Sequence, residues 1–140
     1  MTRAYICVKM KVSDEKGWEG IMSLTFYMYP NCDSCRKAKK WLEEKKLDFI
    51  AKHIVEDTPS KEEILNFFEL SDDQPRRFFN TSGKVYREEN MKDKIKGATE
   101  KEMASYLASN GMLIRRPIIT DGKKITVGFN KEVYEQVWLT

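Results

Sequence analysis

The chain has 140 residues, of which 41% are hydrophobic and 34% are charged, a composition that suits one folded domain of ordinary size. No apolar run approaches the roughly 18 residues that a membrane span requires, so a membrane protein is not expected. The formal net charge of +3 comes from 25 basic and 22 acidic residues that are interleaved along the chain, which gives no indication of direct nucleic-acid binding.

Residues 1–21 differ from the rest of the chain, and we treat them as a separate leader. They lack the apolar core of a signal peptide and show neither strand alternation nor a long helical stripe. Two interpretations stay open. The leader is either a real, flexible extension or the translated region upstream of a start at Met22, since residues 18–20 must be encoded by a purine-rich tract. Without a secretory signal the three cysteines indicate reduced thiols and a cytoplasmic protein, and Cys7 in the leader is given no function.

The first half of the remaining chain predicts a β-α-β unit. Residues 24–29 are rich in aromatic and β-favouring side chains and are followed by Pro30, which predicts a strand that ends in a turn. Residues 35–46 carry apolar side chains at helical spacing among charges, which predicts an amphipathic helix. Residues 49–55 predict the second strand. Such a unit implies two parallel strands joined by a right-handed crossover.

The middle of the chain, about residues 57–110, predicts a helical insert. Ser60 and Glu63 form a capping box that starts one helix, and Thr99 and Glu102 form a second capping box. Between these helices we predict a short helical turn at 74–79, a loop at 81–83 and a short charged helix at 91–95.

The last part of the chain predicts two strands and a helix. Residues 112–119 form one predicted strand around Pro117, and a turn at Asp121 leads to an antiparallel strand at 125–127. Asn130 is placed to cap the final helix. The complete order is β-α-β, a helical insert, then β-β-α, which is a thioredoxin-like (glutaredoxin-like) α/β fold. We therefore expect residues 22–140 to form a single domain of this kind.

Cys32 and Cys35 form a C-x-x-C motif where the first strand meets the first helix. A cysteine at a helix N-terminus is favoured as a thiolate by free backbone N–H groups and by the helix dipole. Cys32 has that position and is the predicted nucleophile. Cys35, one turn later, can attack a mixed disulfide at Cys32 and is the predicted resolving cysteine. Arg36 adds positive charge that favours the thiolate, and it is a candidate for binding an anionic substrate.

Two other interpretations of the motif stay open. A zinc site would need further ligands, for which only Cys7 and His53 are candidates, so no metal is predicted. A buried structural pair of thiols is the second alternative. The redox interpretation is favoured because the motif directly follows a strand and opens a helix within a β-α-β pattern. We interpret His53 as a structural residue.

Arg115, Arg116 and Pro117 form a second candidate feature. In thioredoxin-like folds a cis-proline begins the strand that faces the active cysteine, and Pro117 between two apolar pairs fits that position. An ordinary trans proline at a strand end is the alternative. The two arginines are candidates for binding an oxyanion or are simply solvated, and alternation along a strand predicts that only one of them faces the cysteines.

Four separated segments resemble the arsenate reductase and Spx family, in the same order along the chain. They are Tyr29-Pro30-Asn31-Cys32-Asp33-Ser34-Cys35-Arg36-Lys37-Ala38, Asp57-Thr58-Pro59-Ser60, Leu113-Ile114-Arg115-Arg116-Pro117-Ile118-Ile119 and Val127-Gly128-Phe129-Asn130. The resemblance covers nearly all of residues 23–139. The family contains glutaredoxin-coupled arsenate reductases and RNA-polymerase-binding regulators of the Spx type.

Similarity to the reductases implies a thiol oxidoreductase without a bound cofactor. Cys32 would attack the substrate, Arg116 would hold an oxyanion, and an external thiol donor, either glutaredoxin with glutathione or thioredoxin, would restore the thiols. Other anion-binding arginines of that branch are replaced here by Asn80 and, approximately, Val127. Because charge-assisted donors are missing at those places, we do not expect arsenate itself to be turned over.

Similarity to the regulators implies the alternative function, a redox-sensing protein that binds the RNA polymerase alpha subunit. The regulators share the C-x-x-C pair and the Arg115-Arg116-Pro117 run. In their polymerase-contacting segment a glycine corresponds to Gln74 and a loop arginine corresponds to Ser82. These differences place the regulator second to an oxidoreductase whose partner is a small thiol or a redox protein.

Overall fold

The computed structural model describes residues 24–139, in which one four-stranded sheet carries helices on both faces. The strands are β1 (Leu24–Met28), β2 (Phe49–His53), β3 (Ile118–Thr120) and β4 (Ile125–Val127). The helices are α1 (Asp33–Glu44), α2 (Lys61–Leu70), α3 (Lys84–Glu88), α4 (Met91–Lys94), α5 (Glu100–Ser109) and α6 (Lys131–Trp138), with 3-10 turns at Pro75–Phe78 and Gly111–Leu113. The predictions for the leader and for Cys7 lie outside the described residues.

The sheet has the strand order β2-β1-β3-β4. β1 runs parallel to β2 and antiparallel to β3, and β3 and β4 are antiparallel neighbours. Phe26 at the centre of β1 is paired with Ala51 on one side and with Ile119 on the other. This arrangement confirms the predicted thioredoxin-like order of β-α-β, helical insert and β-β-α.

The apolar side chains form two layers, one on each face of the sheet. Because neighbouring residues of a strand point to opposite faces, Phe26 and Tyr27 belong to different layers. The α1–α6 layer comprises Leu24, Phe26, Cys35, Ala38, Trp41, Leu42, Ile119, Tyr134 and Trp138. The insert layer comprises Tyr27, Ile54, Ile64, Phe67, Phe68, Phe78, Phe79, Tyr86, Met91, Ala104, Leu107, Leu113, Ile114 and Ile118.

The predicted capping residues start their helices. Ser60 Oγ accepts the Glu63 N–H at 3.1 Å, and the Glu63 carboxylate accepts the Ser60 N–H at 2.9 Å. The Thr99 and Glu102 pair repeats this arrangement at α5. Asn130 Oδ1 accepts the Val133 N–H at 3.1 Å and caps α6. The local side-chain chemistry therefore fixes where these helices begin.

The predicted strand over residues 112–119 is wrong in its first half. Gly111–Leu113 is a 3-10 turn, Ile114 makes only an isolated bridge with Phe79, and β3 begins at Ile118. Gly111 lies directly against the backbone of Ile54, where a Cβ atom would overlap the carbonyl oxygen. A tertiary contact therefore replaces the strand that the apolar residues suggest.

Two smaller differences concern β2 and the insert. β2 ends at His53, not at residue 55, because His53 Nδ1 accepts the N–H groups of Val55 and Glu56 and turns the chain. Helix α3 was not predicted. It has only five residues and one buried side chain, Tyr86, so it gives no periodic apolar signal.

Candidate active site

Cys32 is the N-cap residue of α1, with φ −123° and ψ 118°. Its sulfur accepts a hydrogen bond from the backbone N–H of Cys35 at 3.4 Å. Cys32 is half-buried, whereas Cys35 is 2% exposed. Cys32 is therefore the more accessible thiol, and it lies where the N–H groups and dipole of a helix stabilise negative charge.

The Cys35 thiol lies inside the α1–α6 layer and forms a hydrogen bond with Cys32. Burial, and after it this hydrogen bond, raise the pKa of Cys35 to about 12. A backbone hydrogen bond at Tyr29 and the charge of Arg116 act in the opposite direction. Cys35 is consequently a neutral thiol at physiological pH, which makes it poorly suited to be the first nucleophile.

The Arg36 side chain forms its contacts with the turn before α1 and with the first residue of that helix. Its guanidinium donates to the Pro30 carbonyl at 3.1 Å and pairs with the carboxylate of Asp33. The Arg36 and Asp33 side chains are 60% and 82% exposed, respectively. These contacts hold the start of the helix to the preceding turn, and neither of them reaches a cysteine.

The Arg116–Pro117 peptide bond is cis, and Pro117 is buried immediately before β3. The carbonyl of Pro117 accepts the N–H of Gly128 at 2.8 Å, which joins this loop to the end of β4. Tyr134 Oη in turn donates to the Gly128 carbonyl at 2.8 Å, and the Tyr134 ring packs against Trp41 of α1. This chain of contacts connects the proline loop with the helix that carries both cysteines.

Arg116 is the arginine on the cysteine side. Its guanidinium carbon lies 5.0 Å from the centre of the Tyr29 ring, and it donates weakly to the Ile114 carbonyl at 3.5 Å. Its charge acts on Cys35. The Nε atom of Arg116 is buried, and no described residue accepts a hydrogen bond from it.

Arg115 serves another region. Its guanidinium packs on Gly128, where an added Cβ atom would be 3.0 Å from Nη2, and it lines a cleft of about 740 Å³ beside the insert. Asn80, one of the positions without a reductase-type arginine, lines the same cleft. The two neighbouring arginines thus point into different surroundings.

The same cleft contains residues that sequence reasoning missed. Arg76, Arg77, Lys92 and Lys96 line it together with Arg115. The sequence predicted only a short charged helix at 91–95 and assigned no function to its lysines. The adjacent pair Arg76-Arg77 after Pro75 was the available signal, but the sequence does not show that it lies near Lys92 and Lys96.

His53 has a structural role here. Its Nδ1 atom accepts backbone N–H groups at 3.1 and 3.2 Å, and its ring meets the Tyr29 ring edge-on at 5.4 Å. Within residues 24–139, no three His, Cys, Asp or Glu side chains converge as they would at a metal site. No helix in this part of the chain is long and apolar enough to cross a membrane.

Comparison with known proteins gives related sequences over most of the chain. YusI of Bacillus subtilis, an uncharacterised protein, is 53% identical and covers 84% of this chain and 99% of its own length. The regulatory protein MgsR of the same organism is 35% identical, over 76% of this chain and 83% of its own. The global transcriptional regulator Spx of Bacillus subtilis is 31% identical, over 78% and 82%.

Solved structures and a family model agree with these relatives. An ArsC-family-related protein from Bacteroides fragilis superimposes with a TM-score of 0.79 at 40% identity, covering 83% of this chain and 98% of its own. A protein from Staphylococcus aureus COL gives a TM-score of 0.77 at 36% identity, covering 84% and 99%. The model of the ArsC family matches residues 27–137. The chain is a member of the ArsC family.

Proposed function

We propose that this protein is a thiol–disulfide oxidoreductase whose redox pair is Cys32 and Cys35. One observation carries the proposal. The accessible Cys32 caps α1, and the buried Cys35, whose pKa is raised, lies one turn later. The backbone N–H of Cys35 donates a hydrogen bond to the Cys32 sulfur. This asymmetry gives the two thiols different roles, with Cys32 as the attacking group and Cys35 as the resolving group.

In the first step the Cys32 thiolate attacks one sulfur of a substrate disulfide. The substrate S–S bond breaks, a mixed disulfide forms between Cys32 and the substrate, and the other substrate sulfur leaves as a thiolate that takes up a proton. The N–H of Cys35 and the start of α1 stabilise the negative charge on Cys32 before the attack.

In the second step Cys35 loses its proton and attacks the Cys32 sulfur. The mixed disulfide breaks, the second substrate sulfur leaves as a thiol, and a Cys32–Cys35 disulfide remains. Two electrons and two protons have then passed to the substrate. Once Cys32 is in a disulfide, its hydrogen bond no longer raises the pKa of Cys35, and the charge of Arg116 favours the attacking thiolate.

An external thiol donor must return the two electrons. We propose glutaredoxin with glutathione, or thioredoxin, acting in the reducing cytoplasm, with a small thiol or a redox protein as the substrate. Arg116, which lies over the Tyr29 ring, and the neighbouring Pro117 are proposed to contact that substrate. Arsenate is not proposed as the substrate, because Asn80 and Val127 cannot supply charge-assisted hydrogen bonds to an oxyanion.

Trapping of the mixed disulfide tests these roles. The variants Cys32→Ser and Cys35→Ser are made in a Cys7→Ser background, so that only the two site cysteines differ. After incubation with oxidised glutathione, mass spectrometry is expected to find a stable glutathione adduct on Cys32 in Cys35→Ser and little adduct in Cys32→Ser. An equal adduct in both variants, or no Cys32–Cys35 disulfide in the parent protein, contradicts the proposal.

A second candidate is a redox-controlled transcriptional regulator that binds the RNA polymerase alpha subunit. The similarity to MgsR and Spx favours it. Purified alpha subunit and this protein are mixed in reduced and oxidised form, and binding is measured by surface plasmon resonance. Binding that changes with the Cys32–Cys35 disulfide supports the regulator. Catalysed disulfide exchange without such binding supports the enzyme.

A further inference from the structure

We propose that the protein has a second site, which binds a compact ligand with two or more linked phosphate groups. The site is the cleft of about 740 Å³ on the insert side, and we call it the basic cleft after its five cationic residues: Arg76, Arg77, Lys92, Lys96 and Arg115. It contains neither cysteine. The proposal therefore does not depend on disulfide exchange.

The positive charge of the basic cleft favours a ligand that carries several negative charges. Five cationic side chains line it, and no carboxylate does. None of the five has an ion-pair partner among residues 24–139, whereas Lys39, Lys84 and Lys94 do. Clustered like charges repel and generate a strong local potential, so a ligand with one negative charge would compensate only part of it.

The donor groups of the basic cleft suit phosphate oxygens. Three of the cations are arginines, whose planar guanidinium groups bind phosphate through two parallel hydrogen bonds. Asn80, Thr81 and Ser82 line the same cleft and add amide and hydroxyl donors. Phosphate-binding sites commonly combine charged and neutral hydrogen-bond donors.

The surroundings favour a compact ligand over a long acidic chain. Next to the basic cleft, Lys84 pairs with Glu88 at 3.8 Å, and Lys94 pairs with Glu89 at 3.5 Å. On the other side, Asp72 and Asp73 line a smaller cleft that shares Arg77 and Arg115 with the basic cleft. The positive patch therefore ends at the edges of the basic cleft, whose volume lies within the range of small-molecule sites, about 300–1,000 Å³.

Binding of tripolyphosphate by the full chain tests the proposal. Isothermal titration calorimetry in about 0.15 M salt, where exposed charges are largely screened, is expected to show saturable binding. Arg77→Gln and Lys96→Gln should each weaken binding about tenfold, since each removes a charge-assisted contact. Lys84→Gln is the matched control, because Lys84 is an exposed lysine outside the cleft, and should change affinity less than about twofold. Thermal unfolding of each variant shows that it is folded.

Three further ligands complete the test. ATP at the same concentrations separates two sources of linked phosphates: equal affinity indicates inorganic polyphosphate, and tighter binding indicates a nucleotide, and both support the site. A hexaglutamate peptide or a short single-stranded oligonucleotide that binds more tightly than either overturns it. Absence of saturable tripolyphosphate binding up to about 5 mM, or equal losses in Lys84→Gln and Lys96→Gln, also overturns it.

Discussion

The α1–α6 layer and the insert layer lie on opposite faces of one sheet, and they support different chemistry. The first holds Cys35 among apolar side chains and presents Cys32 at its edge. The second supports a cleft lined with cations. Arg115 and Arg116 are consecutive residues that divide between the two regions, one in the basic cleft and one over Tyr29. A single short loop therefore contributes to both regions.

The two regions differ in how far apart their parts lie in the sequence. The thiol pair and its helix start are built from residues 30–36, so their geometry follows from local backbone chemistry. The basic cleft collects side chains from residues 76 to 115, which only the folded insert brings together. Changes in the insert should therefore affect the cleft without altering thiol chemistry.

The largest expected effects come from substituting one buried leucine in each layer, which tests whether the two regions are independent. Leu42 of α1 and Leu107 of α5 are both 0% exposed, one in each layer. Leu42→Ala and Leu107→Ala should each lower the free energy of unfolding by about 2–5 kcal/mol, because each leaves a cavity. Urea denaturation followed by circular dichroism measures this loss.

The two leucine variants should differ in thiol chemistry. Leu42 lies on the helix that carries both cysteines, so Leu42→Ala is expected to slow disulfide exchange severalfold under native conditions. Leu107→Ala should leave the exchange rate within about twofold. Leu139→Ala, at a 45% exposed position, is the control for both measurements. Equal slowing in the two buried variants would show that the layers are coupled.

The same distinction explains what the sequence could predict. The C-x-x-C motif, the capping boxes at Ser60 and Thr99, and the order of helices and strands along the chain all depend on short-range patterns, and they were predicted. The turn at Gly111–Leu113 was missed because it depends on contact with Ile54, a residue far away in sequence. The basic cleft was missed for the same reason.

Substitution of one arginine at a time should affect either disulfide exchange or tripolyphosphate binding, but not both. Arg116→Gln removes the positive charge near Cys35 and should slow disulfide exchange about tenfold, while tripolyphosphate affinity changes less than about twofold. Arg115→Gln should weaken tripolyphosphate binding about tenfold and leave exchange nearly unchanged. Disulfide-exchange kinetics give the rate for each variant, and calorimetry gives the tripolyphosphate affinity of each variant. If Arg115→Gln slows exchange as much as Arg116→Gln, the division between the two arginines is wrong.

The buried thiol should make the stability of the protein depend on alkaline pH. Folding raises the pKa of Cys35 to about 12, from an ordinary value near 8.5. Its contribution to stability is therefore complete below about pH 8.5 and is lost as the pH rises toward 12. Under reducing conditions, the stability difference between the parent protein and Cys35→Ser should shrink from about pH 8 to about pH 10.5. Tyr27 titrates in both proteins and cancels in the comparison, and the Cys35 charge, which raises the pKa of Tyr134, is present only in the parent protein. A constant difference across this range would contradict the burial of the Cys35 thiol.

The smallest expected effect concerns Arg36, which the sequence proposed as an anion-binding residue. In the structure its hydrogen bonds go to Pro30 and Asp33, and both members of the ion pair are exposed. Because exposed ion pairs contribute about 0–1 kcal/mol, Arg36→Ala should lower the free energy of unfolding by about 0.5 kcal/mol or less. Disulfide exchange should change less than about twofold, as in the control Lys37→Ala, an exposed neighbour on the same turn. A tenfold slowing of disulfide exchange in Arg36→Ala alone would mean that Arg36 leaves Asp33 and joins Arg116 when substrate binds. Two cations, instead of one, would then act on the cysteines.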